Sequence, residues 1–394
     1  MRYFLVVIWS VVSVFAIAAS DKASDLLVAV IMVKNEAHVM ERTLQPLVDG
    51  GVTSFFILDT GSTDDTLQVT YDFFAKNGIN SHQIVQEPFI NFAASRNRAL
   101  ELTEQYFPQA KFMLMIDAEW VVHGVDKLLD FCAEKVFEHE PLYLIRVANW
   151  CDNFYHARLI RSHRQVKFVG AVHEVPDVIA TVKLPDDIYI ERTVTEVGIE
   201  KTRKRWQRDA GILMAEHMQD QSNARTIFYL AQTFDCLDDL ENARLWYAKR
   251  LATPGWAEET FMASYRLAQV LERLAEAGKV TWDDALNEYL HAFSLRPTRA
   301  EPLVLLAQHY WNTGNYALCY LFADAAVKIP YPHDDYLLIN HEFYEYYRYD
   351  LLGRACWYLG KYQQGAQAVR QALEVRPDFQ HLRNNLTCYM QAGY

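Results

Sequence analysis

The chain has 394 residues, 51% hydrophobic and 22% charged, and 38 Lys plus Arg against 50 Asp plus Glu give a formal net charge of -12. These proportions exclude a disordered, collagenous or disulfide-scaffold protein. The acidic balance disfavours nucleic acid as a partner, because that contact runs through cations on phosphates. At roughly 100–200 residues per domain, the length suits two or three domains.

The first twenty residues, MRYFLVVIWSVVSVFAIAAS, carry one cation, Arg2, then an uncharged apolar stretch from Tyr3 to Ala19 with Ala16-Ile17-Ala18 at its end. This reads as a secretory signal peptide or an uncleaved signal anchor over 1–20. The expected location is therefore a secretory-pathway lumen or a membrane-anchored site. Six cysteines at 132, 151, 236, 319, 356 and 388 form no C-x-x-C pair, so a zinc or thioredoxin-like motif is not indicated.

Leu26 to Val33 is a continuous apolar run, which predicts a strand buried on both faces. Polar Lys34-Asn35-Glu36 follows, then a helical stretch from His38 to Val48 that Gly50-Gly51 ends. Ser54 to Leu58 predicts a second strand, followed by Asp59-Thr60-Gly61-Ser62-Thr63-Asp64-Asp65-Thr66 and a helix over 67–76. A third strand falls around 83–85, a helix over 94–105, and a fourth strand over 111–116 that ends in Asp117-Ala118-Glu119. Alternating strands and helices predict an α/β class with a mostly parallel sheet. In such sheets ligands bind beyond the C-terminal strand ends, where all three polar clusters fall. Gly61, Ser62 and Thr63 make a turn into a helix whose free N–H groups suit an anion. Asp117 and Glu119 can approach a hard cation such as Mn2+ or Mg2+.

Val33-Lys34-Asn35-Glu36, the 59–66 run, Phe92-Ala93-Ala94-Ser95-Arg96-Asn97-Arg98-Ala99-Leu100, Ile116-Asp117-Ala118-Glu119, Arg158-Leu159-Ile160-Arg161 and Phe168-Val169-Gly170-Ala171-Val172-His173-Glu174 together resemble family 2 glycosyltransferases of the GT-A fold. The likeness is to the branch related to lipopolysaccharide-core glycosyltransferases, whose members include some with tetratricopeptide tails. The resemblance implies a Rossmann-like GT-A domain over 21–204 that moves a sugar, with inversion, from a nucleotide-sugar donor (a UDP-sugar) to an acceptor hydroxyl on a glycan, a lipid-linked sugar or a protein. It implies that Asn35, Glu36, Asp59, Ser62 and Asp64 line the nucleotide pocket, with Arg96 and Asn97 beside the diphosphate. It also implies that Asp117, Glu119 and Glu196 hold Mn2+ or Mg2+, and that Glu174 is the general base with His173 beside it. Three positions depart from the pattern: Glu119 in place of Asp, Trp120 in place of a fourth acid, and Glu196 in place of a histidine. These departures motivate an alternative, a catalytically inactive repeat protein acting as a binding or scaffold module.

Beyond residue 200 the chain reads as paired helices. Lys201 to Arg208 is the one dense basic run, either a solvated helix face or a contact for an anionic substrate or lipid surface. Leu-Ala-Gln recurs from 230, 267 and 306, at spacings of 37 and 39, and Pro254, Pro297 and Pro330 follow the second helix of each unit. A fourth unit runs from Gly353 to Pro377. The period is near that of tetratricopeptide repeats, so 205–394 is expected to be an all-α repeat region that offers a surface to a protein partner.

Overall fold

The computed structural model describes residues 26–148, 153–192, 196–335 and 337–394. The apolar segment 1–20 and Cys151 lie outside the described residues. Contacts divide the chain into two compact units, residues 1–202 and 203–394.

In the first unit the apolar runs form the expected strands: β1 (Leu27–Val33), β2 (Ser54–Asp59), β3 (Ser81–Gln86) and β4 (Phe112–Asp117). β1, β2 and β4 are buried almost throughout, as strands covered on both faces must be. Between them run α1 (Met40–Asp49), α2 (Thr66–Lys76) and α3 (Phe92–Tyr106). Asn91 caps α3 by accepting the Ala94 amide at 2.8 Å. These four strands are parallel, in the order β3-β2-β1-β4.

The sheet then changes character. Beyond β4 the order continues β7-β6-β11-β5, with β5 (Trp120–His123), β6 (Leu142–Ala148), β7 (Asn153–Arg161) and β11 (Tyr189–Arg192), and α4 (Val125–Lys135) leads from β5 to β6. β4–β7, β6–β7 and β5–β11 are antiparallel, while β6 pairs in parallel with β11 and with β10 (Val182–Lys183). The result, among the described residues, is a mixed sheet of five parallel and three antiparallel pairings, and the antiparallel β4–β7, β6–β7 and β5–β11 depart from the Rossmann-like form expected. A separate two-stranded hairpin, β8 (Phe168–Val169) and β9 (Val175–Pro176), lies against α3.

The second unit is helical, starting with α5 (Glu196–Gln219), which crosses the division between the units. Helix pairs follow: α6 (Ala224–Cys236) with α7 (Leu240–Leu251), α8 (Ala257–Glu276) with α9 (Trp282–Leu295), α10 (Glu301–Asn312) with α11 (Tyr316–Val327), and α12 (Arg348–Tyr358) with α13 (Tyr362–Val375). A last helix, α14 (Gln380–Gln391), packs on α13. The three Leu-Ala-Gln segments fall on α6, α8 and α10, and their alanines are fully buried. Small buried residues on the second helices, Ala243, Ala285 and Cys319, let the partners approach closely. Gly365 on α13 is another such contact: a Cβ there would overlap the Tyr389 hydroxyl and lie 2.8 Å from the Cβ of Cys356.

Successive pairs are joined by short links at 252–256 and 296–300, but α11 and α12 are separated by residues 328–347, the last five of which (Phe343–Tyr347) form a π-helical turn. That long link folds back over earlier pairs. The Leu337 amide donates to Glu258 at 2.8 Å, and Arg299 donates to the Leu337 and Leu338 carbonyls at 3.2 and 3.3 Å. Arg296 Nε donates to Asp335 at 2.6 Å, and Glu301 accepts the Tyr344 hydroxyl at 2.6 Å. Arg299 is fully buried, as a charge can be only when it is so well partnered.

Candidate functional site

Two groups of predicted residues come together at the C-terminal ends of β1, β2 and β4. The first is a knot of side chains joining the loops after β1 and β2. Asp59, wholly buried, accepts the Ser62 amide at 3.0 Å, the Ser62 hydroxyl at 2.6 Å and Gln86 Nε2 at 2.8 Å. Asn35 has a left-handed φ of 58°, a conformation Asn tolerates better than most residues. Its amide donates to Ser62 Oγ at 2.9 Å, and its side-chain oxygen accepts the Thr63 amide at 2.7 Å. Asp64 accepts the Thr66 amide at 3.1 Å and the Ala37 amide at 3.3 Å, while Thr66 Oγ1 accepts the Glu36 amide at 2.8 Å. These hydrogen bonds, between side chains and to backbone, fix the two loops. Asn97 is used in the same way: it donates to the Phe168 carbonyl at 2.9 Å and accepts the Phe168 amide at 2.7 Å, which pins β8 to α3.

The second group is a buried ion quartet. Arg96, on α3, donates through Nη2 to Asp117 at 2.6 Å and through Nε to Glu174. Arg158, on β7, lies 3.9 Å from Asp117 and 3.7 Å from Glu174. The side chains of Arg96, Arg158 and Glu174 are 4%, 6% and 8% exposed, and Asp117 is about a third exposed at 34%. The faces of the guanidinium groups are covered by rings: Phe168 lies 5.9 Å from Arg96 and 5.7 Å from Arg158, and Trp120 lies 5.1 Å from Arg158.

The electrostatics follow from this packing. Burial alone would raise the Asp117 carboxyl, but the charges of Arg96 and Arg158 and the hydrogen bond from Arg96 outweigh it and hold the group at about 2. Burial, together with the like charge of Arg158, pushes His156 down to about 3, so its ring is neutral at ordinary pH. Two positive and two negative charges make the quartet neutral overall. Arg161, three residues on, takes no part: it donates to the Lys135, Val136 and Glu140 carbonyls and to the Tyr143 hydroxyl, and so ties down the end of α4.

The remaining predicted residues are not drawn into this cluster. His173 is exposed with φ 54°, in the turn of the β8–β9 hairpin. Glu119 lies in the turn between β4 and β5, after buried Ala118. Glu196 begins α5, and its side chain is outside the described ones. Among the described residues no group of three or more His, Cys, Asp or Glu side chains could hold a metal ion. With Asp117 already countered by two guanidinium groups, the residues described do not fit Mn2+ or Mg2+ there. The contributions of Gln86, Thr66, His156 and Phe168 to the two clusters were not expected. Of these, Thr66 in the 59–66 run and Phe168 in the 168–174 run lay within segments that the sequence marks.

No family model matches the chain, and no curated protein matches it. Similar solved structures include MamA (16% identity, 47% of this chain and 96% of that one, TM-score 0.35). A second is the C-terminal part of a TPR repeat-containing protein from Cytophaga hutchinsonii (13% identity, 48% of this chain and 66% of that one, TM-score 0.37). A third is YrrB, described as a TPR protein with an unusual peptide-binding site (15% identity, 50% of this chain and 87% of that one, TM-score 0.32).

The chain is a mixed-sheet α/β unit followed by an array of paired helices that repeats with a tetratricopeptide-like period. The resemblance to family 2 glycosyltransferases is corrected accordingly, and with it the reading of the chain as an enzyme that uses a nucleotide-sugar donor. Two of the similar structures named are described as TPR proteins, and none of the three is described as a glycosyltransferase. The geometry gives a physical reason: the carboxylate expected to act as base is buried, and one of its oxygens is occupied by Arg96. The signal peptide or anchor expected over 1–20 lies outside the described residues, and among the described residues no helix is long and apolar enough to cross a membrane.

Proposed function

We propose that the protein is a binding or scaffold module that holds a protein partner through its paired helices, with the α/β unit as a rigid companion. The observation that carries this reading is the repeated placement of one side chain on successive first helices. Gln232, Gln269 and Gln308 occupy the same position on α6, α8 and α10, and all three are half-buried at the surface rather than sealed in the core. A glutamine amide both donates and accepts, so a row of them suits the backbone of an extended segment whatever its side chains. Around the row stand charged side chains that the helices hold in place, such as Arg273 with Asp235 at 2.7 Å.

The test is a selection of peptides from a random library on the full chain, followed by hydrogen-exchange mapping of the bound state. Selected peptides should slow exchange on α6, α8 and α10, and Gln232→Ala with Gln308→Ala should weaken them about tenfold, the size of two lost hydrogen bonds. No peptide above background, or protection confined to residues 26–192, would end this reading.

A further inference from the structure

We infer that the start of α5 is a docking face for a short acidic segment of a partner protein. This rests on the binding-module reading and names a second surface for it, apart from the glutamine row. The basic run found in the sequence is folded into this helix, and Arg203, Lys204, Arg205 and Arg208 are all exposed. Lys204, Arg205 and Arg208 are three and four residues apart, so they share one helix face, and Arg203 stands beside them. Arg208 has a carboxylate 3.5 Å away in Asp209, but that carboxylate is itself buried and lies at the inner side of the cations. Four cations within six residues stand out on a chain whose net charge is -12.

The shape and charge of this face select among anionic partners. Cations four residues apart stand about 6 Å apart along a helix axis. Alternate side chains of an extended strand repeat at about 6.6–6.8 Å, so every second residue of an acidic segment can reach a cation, and arginine forks grip carboxylates well. A bilayer suits the face less, because an interfacial helix needs a free apolar side, and Ala210 and Leu213 of these turns are buried in the unit. A nucleic acid strand suits it less too, since its charges run on past two helical turns and meet a net acidic chain.

The experiment uses the full chain and a fluorescent twelve-residue peptide of alternating Glu and Ser, followed by anisotropy from 20 to 300 mM salt. Binding that weakens with salt is expected. It should fall at least about tenfold when Arg203, Lys204, Arg205 and Arg208 are all changed to Gln, as four exposed ion pairs would together give. Reversal of all four to Glu should abolish it, and if that variant does not fold, the Gln variant alone decides. The inference is overturned if the acidic peptide does not bind, if the Gln variant binds it equally, or if phosphatidylserine vesicles or a thymidine oligonucleotide bind more tightly than the peptide. Library-selected peptides should keep their affinity for the Gln variant. If the acidic peptide fails while those still bind, only this inference falls; if neither binds, the binding-module reading falls with it.

Discussion

Replacing Glu174 by Gln tests whether the buried quartet holds the first unit together. Glu174 is 8% exposed and is paired with Arg96, with Arg158 at 3.7 Å. The change keeps the shape but removes one of two negative charges, leaving two arginines with Asp117 alone. Breaking a buried pair by removing one partner typically costs about 3–5 kcal/mol. The Gln oxygen can still accept from Arg96 Nε, so we expect the lower end, about 3 kcal/mol. For a unit of this size that corresponds to roughly 6–12 °C in melting temperature. The assay is hydrogen exchange across a urea series, read on peptides covering residues 92–117 and 168–192, so that the helical unit does not mask the result. A second substitution, Arg158→Met, should recover part of the loss by removing the excess charge. A loss below about 0.5 kcal/mol for Glu174→Gln, or no recovery in the double variant, would refute the idea that charge balance fastens the β8–β9 hairpin to the sheet.

Asp59→Asn should destabilise the same unit by about 1–3 kcal/mol, because the new amide donors would face the donors of Ser62 and Gln86; urea unfolding measures it. Gly365→Ala should cost at least about 1–3 kcal/mol by overpacking against Tyr389 and Cys356 and by straining the 2.6 Å bond from the Tyr389 hydroxyl to the Gly353 carbonyl; the expected sign is early fraying of α14 in hydrogen exchange. His156 gives a pH signature. Its folded value of about 3 is below the ordinary value of about 6.5, so between those values the unfolded chain binds a proton that the folded chain refuses. Stability should therefore be full above pH 6.5 and fall as pH drops, by up to about 1.4 kcal/mol per unit. The difference between wild type and His156→Gln should flatten if the ring is in fact free to titrate.

The elements that could be read from the sequence were those whose burial is periodic or complete. The runs at 26–33, 54–58 and 111–116 became β1, β2 and β4 with ends shifted by a residue or two, and the Leu-Ala-Gln period landed on three first helices. The outer half of the sheet was hidden, because β7 carries half-buried His156 and buried Arg158, and their burial depends on partners far along the chain. The Phe168–Val172 run is apolar, as a strand would be. It pairs only at 168–169, because Gly170 at φ 96° and His173 at φ 54° turn the chain back. The residue types of the candidate site were visible, but their commitments were not. Arg96 reaches across 78 residues to Glu174, and Asn97 across 71 to Phe168, and no local spacing encodes such pairings.

The long link at 328–347 alters how the helical unit can come apart. In a simple stack each pair touches only its neighbours, so ends can peel away one pair at a time. Here Leu337 is bonded to Glu258 on α8, and Arg299 holds the link between α9 and α10. Opening α12 therefore requires releasing contacts two pairs upstream. The unit should behave as a buckled belt: the segment from α8 to α12 opens in one cooperative step, and only α6, α7, α13 and α14 are left to fray singly.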